Sequence, residues 1–381
     1  MEKRVYKNSG EEVSLLGFGC MRLPRRKEDS PEIDAKTARA MIGYAIEHGV
    51  NYFDTAHPYH EGLSEPFVGE ALSAYPRDKF NLATKMPTWL INDQADVHAI
   101  FAGQLKKCRV KYFDYYLVHN IGGDTFPKVG EHRIYEILQE KKREGKIRRL
   151  GFSFHAAPEL LRRVTDLYEW DFAQIQLNYL DWELQAAKSQ YEILTDKGIP
   201  VVVMEPVRGG ALARLCPQAI DIFRAAEPGA SAASWALRYA ASLPNVLTVL
   251  SGMTNMEQIK DNVATMENFR PLTPNGYAVI ADALAAYRLS GTIPCTACGY
   301  CMDCPFGVNI PKVFAIYNNY RINNSDMLFM LEYKVLGLSG QAANCQKCER
   351  CLPLCPQGIK ITEWLDKINQ AALKAESLPQ H

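Results

Sequence analysis

Short apolar runs with strand character recur along the first two-thirds of the chain. Each is followed by a stretch in which apolar residues return every three to four positions. The runs are LLGFG at 15–19, NYFDT at 51–55, FNLATK at 80–85 and YYLVH at 115–119, then RLGFSF at 149–154, FAQIQL at 172–177, IPVVVME at 199–205 and LTVLSG at 247–252. A compact apolar run bounded by turn residues reads as a buried strand, and the 3.6-residue period between runs reads as amphipathic helix. Several of the helical stretches close on a glycine or a charged last turn, as in AIEHG and KREGK, which suits a helix C-terminus. Eight strand–helix pairs in series predict an α/β fold, a (β/α)8 TIM barrel with a parallel sheet. A doubly wound sheet is the alternative, but no G-x-G-x-x-G follows the first strand.

Near residue 271 the pattern changes. PLTPNG breaks the alternation, a helix such as YAVIADALAAYRLSG follows, and a cysteine-rich segment begins at Thr292. The closing stretch ITEWLDKINQAALKAES reads as one more amphipathic helix. The predicted organisation is a barrel over 1–270, a helical connector over 271–291, and a small, mainly helical domain over 292–381.

Composition narrows the class. The 381 residues carry 43 Lys+Arg and 43 Asp+Glu, so a large basic field for nucleic acid or anionic lipid is not expected. A hydrophobic share of 47% fits a globular chain rather than a disordered one. No apolar run reaches the ~18 residues of a membrane span, and the N-terminus lacks a signal-peptide pattern. The expectation is a soluble, cytoplasmic protein.

The cysteines are unevenly placed. Cys20, Cys108 and Cys216 are scattered; the other eight fall in two motifs. The first is Cys295, Cys298, Cys301 and Cys304 followed by Pro305; the second is Cys345, Cys348, Cys351 and Cys355 followed by Pro356. The second has the C-x2-C-x2-C-x3-C-P spacing of bacterial two-cluster ferredoxins, in which the fourth cysteine of each motif crosses to the other cluster. The expected assignment is one [4Fe–4S] cluster on Cys295, Cys298, Cys301 and Cys355, and another on Cys345, Cys348, Cys351 and Cys304. The first motif has two residues, not three, before its last cysteine. Two structural zinc sites are the alternative, because paired C-x-x-C spacing also suits zinc.

In a parallel barrel the chemistry sits at the C-terminal strand ends. Asp54 ends the second predicted strand, Tyr59 follows in its loop, Lys85 ends the third and His119 the fourth. Reducing a carbonyl requires a proton for its oxygen. A tyrosine hydroxyl near pKa 10 serves only if its surroundings shift it. The expectation is that the Lys85 ammonium lowers the Tyr59 pKa, Asp54 holds the ammonium, and His119 orients the carbonyl.

The stretch HGVNYFDTAHPYHEGLSEPFVGEAL, with ATKMP, DYYLVHN and EGKIRRLGFS downstream, resembles the aldo/keto reductase superfamily over about residues 1–270. The cysteine-rich tail resembles that of the branch carrying a C-terminal ferredoxin-like 4Fe–4S domain. The resemblance implies an NADP(H)- or NAD(H)-dependent oxidoreductase with Asp54, Tyr59, Lys85 and His119 in the roles just described. It further implies that Ser153 and Gln174 contact the nicotinamide carboxamide. Ser251, Gly252, Thr254, Asn255, Gln258 and Asn262 fall where barrel enzymes hold phosphate. Several positions depart from the family pattern. Phe154 stands where Asn is usual, and Met204 stands where an aromatic ring commonly stacks on the nicotinamide. Glu205 adjoins the pyrophosphate position, with Arg208 as its expected partner. Gly252 and Gln258 are neutral where basic residues often grip a 2′-phosphate, which leaves NADH and NADPH both open.

Three functions are compatible with these features. The first is carbonyl–alcohol interconversion on a small molecule. The second is electron transfer through the clusters to a ferredoxin-like carrier; FMN could assist, although no flavin fingerprint is present. The third is a non-catalytic nicotinamide-binding redox sensor. Under the first, the clusters could also serve only to staple the tail.

Overall fold

The computed structural model describes residues 1–7, 10–27 and 30–376. Ser377, the expected last residue of the closing helix, lies outside them, as do residues 28 and 29 of the first barrel loop. Among the described residues a short antiparallel hairpin, β1 (Lys3–Val5) and β2 (Glu12–Ser14), precedes the barrel strands. These are β3 (Leu16–Gly19), β4 (Tyr52–Asp54), β5 (Asn81–Pro87), β6 (Phe113–Ile121), β7 (Ile147–Phe154), β8 (Phe172–Gln176), β9 (Val201–Met204) and β10 (Val246–Gly252). Each pairs in parallel with its predecessor, and β10 closes onto β3, so the predicted (β/α)8 barrel is the observed fold. The hairpin was not anticipated. Its Tyr6 and Val13 pack with Tyr52, Tyr115, Phe172 and Val202 inside the barrel, near the strand starts. Burying such side chains stabilises by about 1.5–3 kcal/mol each.

Helices follow the strands where the periodicity places them, and their starts have local causes. Asp34 accepts from the Thr37 N–H ahead of helix Ala35–Glu47, and Asp93 accepts from Asp96 ahead of helix Gln94–Lys107. Asn255 does the same for Gln258 ahead of helix Met256–Glu267. Each satisfies a backbone donor that the first turn leaves open.

Register decides what faces the interior. Asp54 pairs with Ala83, Lys85 with Leu117, Leu117 with Gly151, Ser153 with Gln174, and Gln174 with Val202. Side chains alternate along a strand. Asp54, Lys85, His119, Ser153, Gln174 and Met204 therefore end one inward-facing set. Gly151 makes room within it, since a Cβ there would stand 2.6 Å from the Phe172 ring.

The chain divides into two compact units, Met1–Pro206 with Ser234–Leu272, and Val207–Ala233 with Thr273–His381. The expected barrel over 1–270 was contiguous; here Val207–Ala233 groups instead with the cysteine-bearing segment. The reason lies in packing: helix Pro217–Ala226 lies against helix Pro274–Leu289. The second unit has its own core, built by Ile310, Val313, Phe314, Phe329, Ile361 and Leu365 among others. No helix among the described residues is long and apolar enough to cross a membrane.

Candidate active site and cysteine cradles

In the barrel unit, Lys85 and Asp54 meet with side chains only 1% and 4% exposed. Lys85 Nζ donates to Asp54 Oδ1 at 2.7 Å, Asp54 Oδ2 at 2.8 Å and the Thr55 carbonyl at 2.9 Å. It lies 3.4 Å from Tyr59 Oη and 4.9 Å from the centre of that ring. Burial pushes the Asp54 carboxyl up, and the ammonium opposes that shift. A charge pair this dry persists only because both members are paired and hydrogen-bonded.

The expected effect on Tyr59 is reversed. Its pKa stands well above the ordinary value of 10.0, through burial first and then the carboxylates of Asp54 and Glu205; Arg22 opposes. Asp54 cancels the ammonium as a source of field, leaving lysine to act on the phenol through the hydrogen bond. Tyr59 is thus a neutral phenol whose oxygen accepts from Lys85, with its own hydrogen left to donate.

His119 is buried, and its Nδ1 has no hydrogen-bond partner. Burial, then the charge of Lys85, hold it well below the ordinary imidazole value, so the ring is neutral. The Trp89 ring lies 5.0 Å away, centre to centre. Behind Lys85, Glu65 accepts from Thr84 Oγ1 at 2.7 Å and from Gln104 Nε2 at 2.6 Å. Gln104 Nε2 also donates to the Lys85 carbonyl at 2.9 Å. Sequence reasoning missed Glu65 and Gln104. In sequence, Glu65 looks like an acidic residue favouring a helix start, and nothing local marks its complete burial.

The nicotinamide positions fall into two groups. Ser153 and Gln174 are register partners and nearly inaccessible. Ser153 Oγ accepts from the Asn120 N–H at 2.8 Å, which leaves its hydrogen to give. Gln174 Oε1 is buried without a partner, and Nε2 reaches only the Met204 sulfur at 3.6 Å. An amide oxygen lacking a donor, beside a hydroxyl, complements a primary carboxamide. These residues fit a nicotinamide.

The loop after β10 is more self-contained. Ser251 has the opposite strand parity to the inward set and accepts from Asn262 Nδ2 at 2.9 Å. Thr254 N–H donates to Gln258 Oε1 at 2.7 Å, and Gln258 N–H to Asn255 Oδ1 at 2.9 Å. Within its unit Glu205 is paired with Arg22 at 3.4 Å, a partner the sequence did not suggest. The Arg22 side chain also lies over Gly252. Glu205 holds a left-handed φ of 54°, and its carbonyl accepts from Asn178 Nδ2 at 2.9 Å. Arg208 belongs to the second unit, where its guanidinium meets Gln357. Arg22 could not be read from sequence, because its partner lies 183 residues away.

In the second unit, no disulfide links the cysteines. Cys295, Cys298, Cys301 and Cys355 line one cavity. Cys304, Cys345, Cys348 and Cys351 line another, which Cys301 also borders. Fields between the sulfurs follow the same grouping: Cys301 feels Cys298, Cys295 and Cys355, while Cys351 feels Cys345, Cys304 and Cys348. The Ala297 N–H donates to Cys295 Sγ at 3.3 Å. Yet among the described residues no three Cys, His, Asp or Glu converge as a single-ion site. Thiols grouped this way, from two motifs each closed by Cys-Pro, suit iron–sulfur cubes better than tetrahedral zinc.

Comparison with known proteins gives a family for each of the two regions. The profile of the Aldo/keto reductase family matches residues 15–285, and that of a 4Fe-4S dicluster domain matches residues 294–368. Probable aldo-keto reductase 1 from Glycine max is 30% identical over 53% of this chain, and the match spans 58% of that protein. The NADH-specific methylglyoxal reductase of Escherichia coli is 25% identical over 67% of this chain and 90% of its own. Among solved structures, the aldo-keto reductase AKR11C1 from Bacillus halodurans in its holo form superposes with a TM-score of 0.61. It is 28% identical, over 74% of this chain and 96% of its own.

Proposed function

The chain belongs to the aldo/keto reductase family, and on that premise we propose that it interconverts a carbonyl and an alcohol using NADH or NADPH. We further propose that its eight clustered cysteines hold two [4Fe–4S] clusters, grouped as the two cavities are. The observation that carries the first reading is the buried Asp54–Lys85 pair with Tyr59 Oη at 3.4 Å.

Ser153 and Gln174 bind the carboxamide and so fix which face of the ring meets the substrate. When bound, the reduced nicotinamide supplies hydride to the carbonyl carbon. His119, held neutral, donates a hydrogen bond to the carbonyl oxygen and sets its angle. Tyr59 passes its proton from Oη to that oxygen as negative charge develops there. Lys85 stabilises the phenolate this leaves, and Asp54 keeps the ammonium in place. In the oxidative direction the Tyr59 phenolate takes the alcohol's proton and becomes the phenol again; because its pKa stands well above 10.0, oxidation should rise with pH while reduction stays flat across neutrality. Arg22, paired to Glu205 beside Met204, is the cation best placed to meet the cofactor's phosphates.

Replacing Tyr59 with Phe tests the reading. Turnover on a panel of aldehydes and ketones should fall about 100- to 10,000-fold, the usual contribution of a positioned proton donor. Nicotinamide binding, followed by fluorescence quenching, should persist. Carbonyl reduction at wild-type rate in that variant would end the proposal.

Electron transfer is a second reading of the clusters. It is favoured by Cys301, which lines both cavities and makes the two sites neighbours. A hydride carries two electrons and each cluster takes one, so excess NADH added anaerobically would bleach the clusters only if a one-electron route exists.

A further inference from the structure

Arg208 heads the largest side chains with no appreciable solvent exposure. A guanidinium stays charged when buried, so its site must offset the loss of water. Within the second unit its Nη2 donates to Gln357 Oε1 at 2.9 Å. Gln357 follows Cys355 by two residues and lines the first cavity. The next residue, Gly209, runs against the other side of the same cradle. Its φ is +64°, and a Cβ there would stand 2.1 Å from the carbonyl oxygen of Thr296, the neighbour of Cys295. Only glycine permits that approach, which brings the Arg208 backbone against the first cysteine loop. Among the described residues this cavity is lined by no charged side chain besides its cysteines. Asp303, Glu349 and Arg350 line the second.

We infer that Arg208 is a fixed cation that raises the reduction potential of the cluster held by Cys295, Cys298, Cys301 and Cys355, leaving the other cluster to its exposed, mixed-charge surroundings. The inference rests on the two-cluster reading above. Reduction adds one negative charge to an already anionic group, and a buried cation stabilises that product more than the oxidised form.

The test is a redox titration of the full-length, anaerobically purified protein, followed by electron paramagnetic resonance and visible absorbance. Iron and zinc are counted beforehand. In Arg208→Gln one midpoint should fall by about tenfold in the reduction equilibrium, ~59 mV for one electron, while the other stays in place. Arg208→Lys, which keeps a cation, should restore most of the difference. Should Arg208→Gln fail to retain iron, Gln357→Glu sets a carboxylate against the guanidinium instead and should lower the same midpoint. Two midpoints that stay put, or that move together, overturn the inference while leaving the clusters established. Zinc in place of iron overturns the cluster reading and the inference with it.

Discussion

The barrel-end site and the cysteine cradles solve the problem of burying reactive groups in opposite ways. In the barrel, Asp54 neutralises Lys85, His119 is held uncharged, and the phenol of Tyr59 keeps its proton. The chain supplies both sides of the pair, so this site needs no added group to be stable. In the second unit, thiols line two cavities that share Cys301, and burial pushes Cys295 and Cys301 up to about 11 and about 12. Sulfurs that resist ionisation beside one another make a poor core for a small unit. The arrangement becomes favourable once iron compensates the thiolate charge. A site complete in itself can wait for its substrate, whereas a cradle of thiols gains stability from the iron it would hold.

Removing iron should break this comparison most visibly. Chelation under reducing conditions, or replacing Cys298 and Cys351 with Ala, should abolish the thermal transition of the second unit and leave that of the barrel. Calorimetry with and without iron reads both transitions; a single shared transition lost in one step would show the barrel to be equally dependent.

Next in size is the internal pair. Lys85→Met strands the Asp54 carboxylate in a dry site, and breaking a buried pair on one side costs about 3–5 kcal/mol. The double change Asp54→Asn with Lys85→Met should recover most of that stability without recovering turnover. Denaturant melts check the first half and a carbonyl-reduction assay the second. Equal stability of the single and double variants would mean that the pair does not carry the charge balance.

Acid should separate the units further. Seven of the eight histidines lie in the barrel unit, and the eighth is the terminal His381. Burial pushes His155 down to about 4 and holds His57, His60 and His119 below 6.5 as well. These rings are neutral when folded but take up protons once unfolded. Their contribution is therefore complete above pH 6.5 and is lost as the pH falls from there towards 4. The barrel transition should drop across that window, and His155→Gln should flatten the drop, as pH-dependent melting would show.

The smallest effect is expected at Gln174. Its amide oxygen already lacks a partner, so Gln174→Leu should change stability by under ~1 kcal/mol. Nicotinamide affinity should still weaken about tenfold, the worth of one good hydrogen bond. Titration calorimetry against NADH and NADPH tells the two effects apart, and unchanged affinity would remove Gln174 from the cofactor site.

Most of the architecture was legible because its signals are local. A buried strand is a short apolar run wherever it occurs, and the eight runs fall on β3 to β10 within a few residues. Asp54, Lys85 and His119 could be singled out because a strand end is visible in sequence and barrel chemistry collects there. What could not be read depends on residues far apart along the chain. The hairpin β1–β2 lacks a strong apolar run, since its inward residues matter only once a barrel exists to receive them. Val207–Ala233 reads as a barrel loop until helix Pro217–Ala226 is seen against helix Pro274–Leu289. Ser251 and Asn262 looked like phosphate contacts, and strand parity turns them towards each other.

The sequence by itself determined the order of elements, the positions of the polar groups at the strand ends and the spacing of the cysteine motifs. Those properties follow from period, spacing and residue type, which are short-range. Tertiary structure alone decided the signs and the partners: that Tyr59 is a held acid rather than a phenolate, that Glu205 pairs with Arg22, and that Arg208 meets Gln357. Each is an electrostatic balance between groups tens to hundreds of residues apart. Such a balance depends on distance and burial in the folded chain, and neither quantity exists before the chain folds.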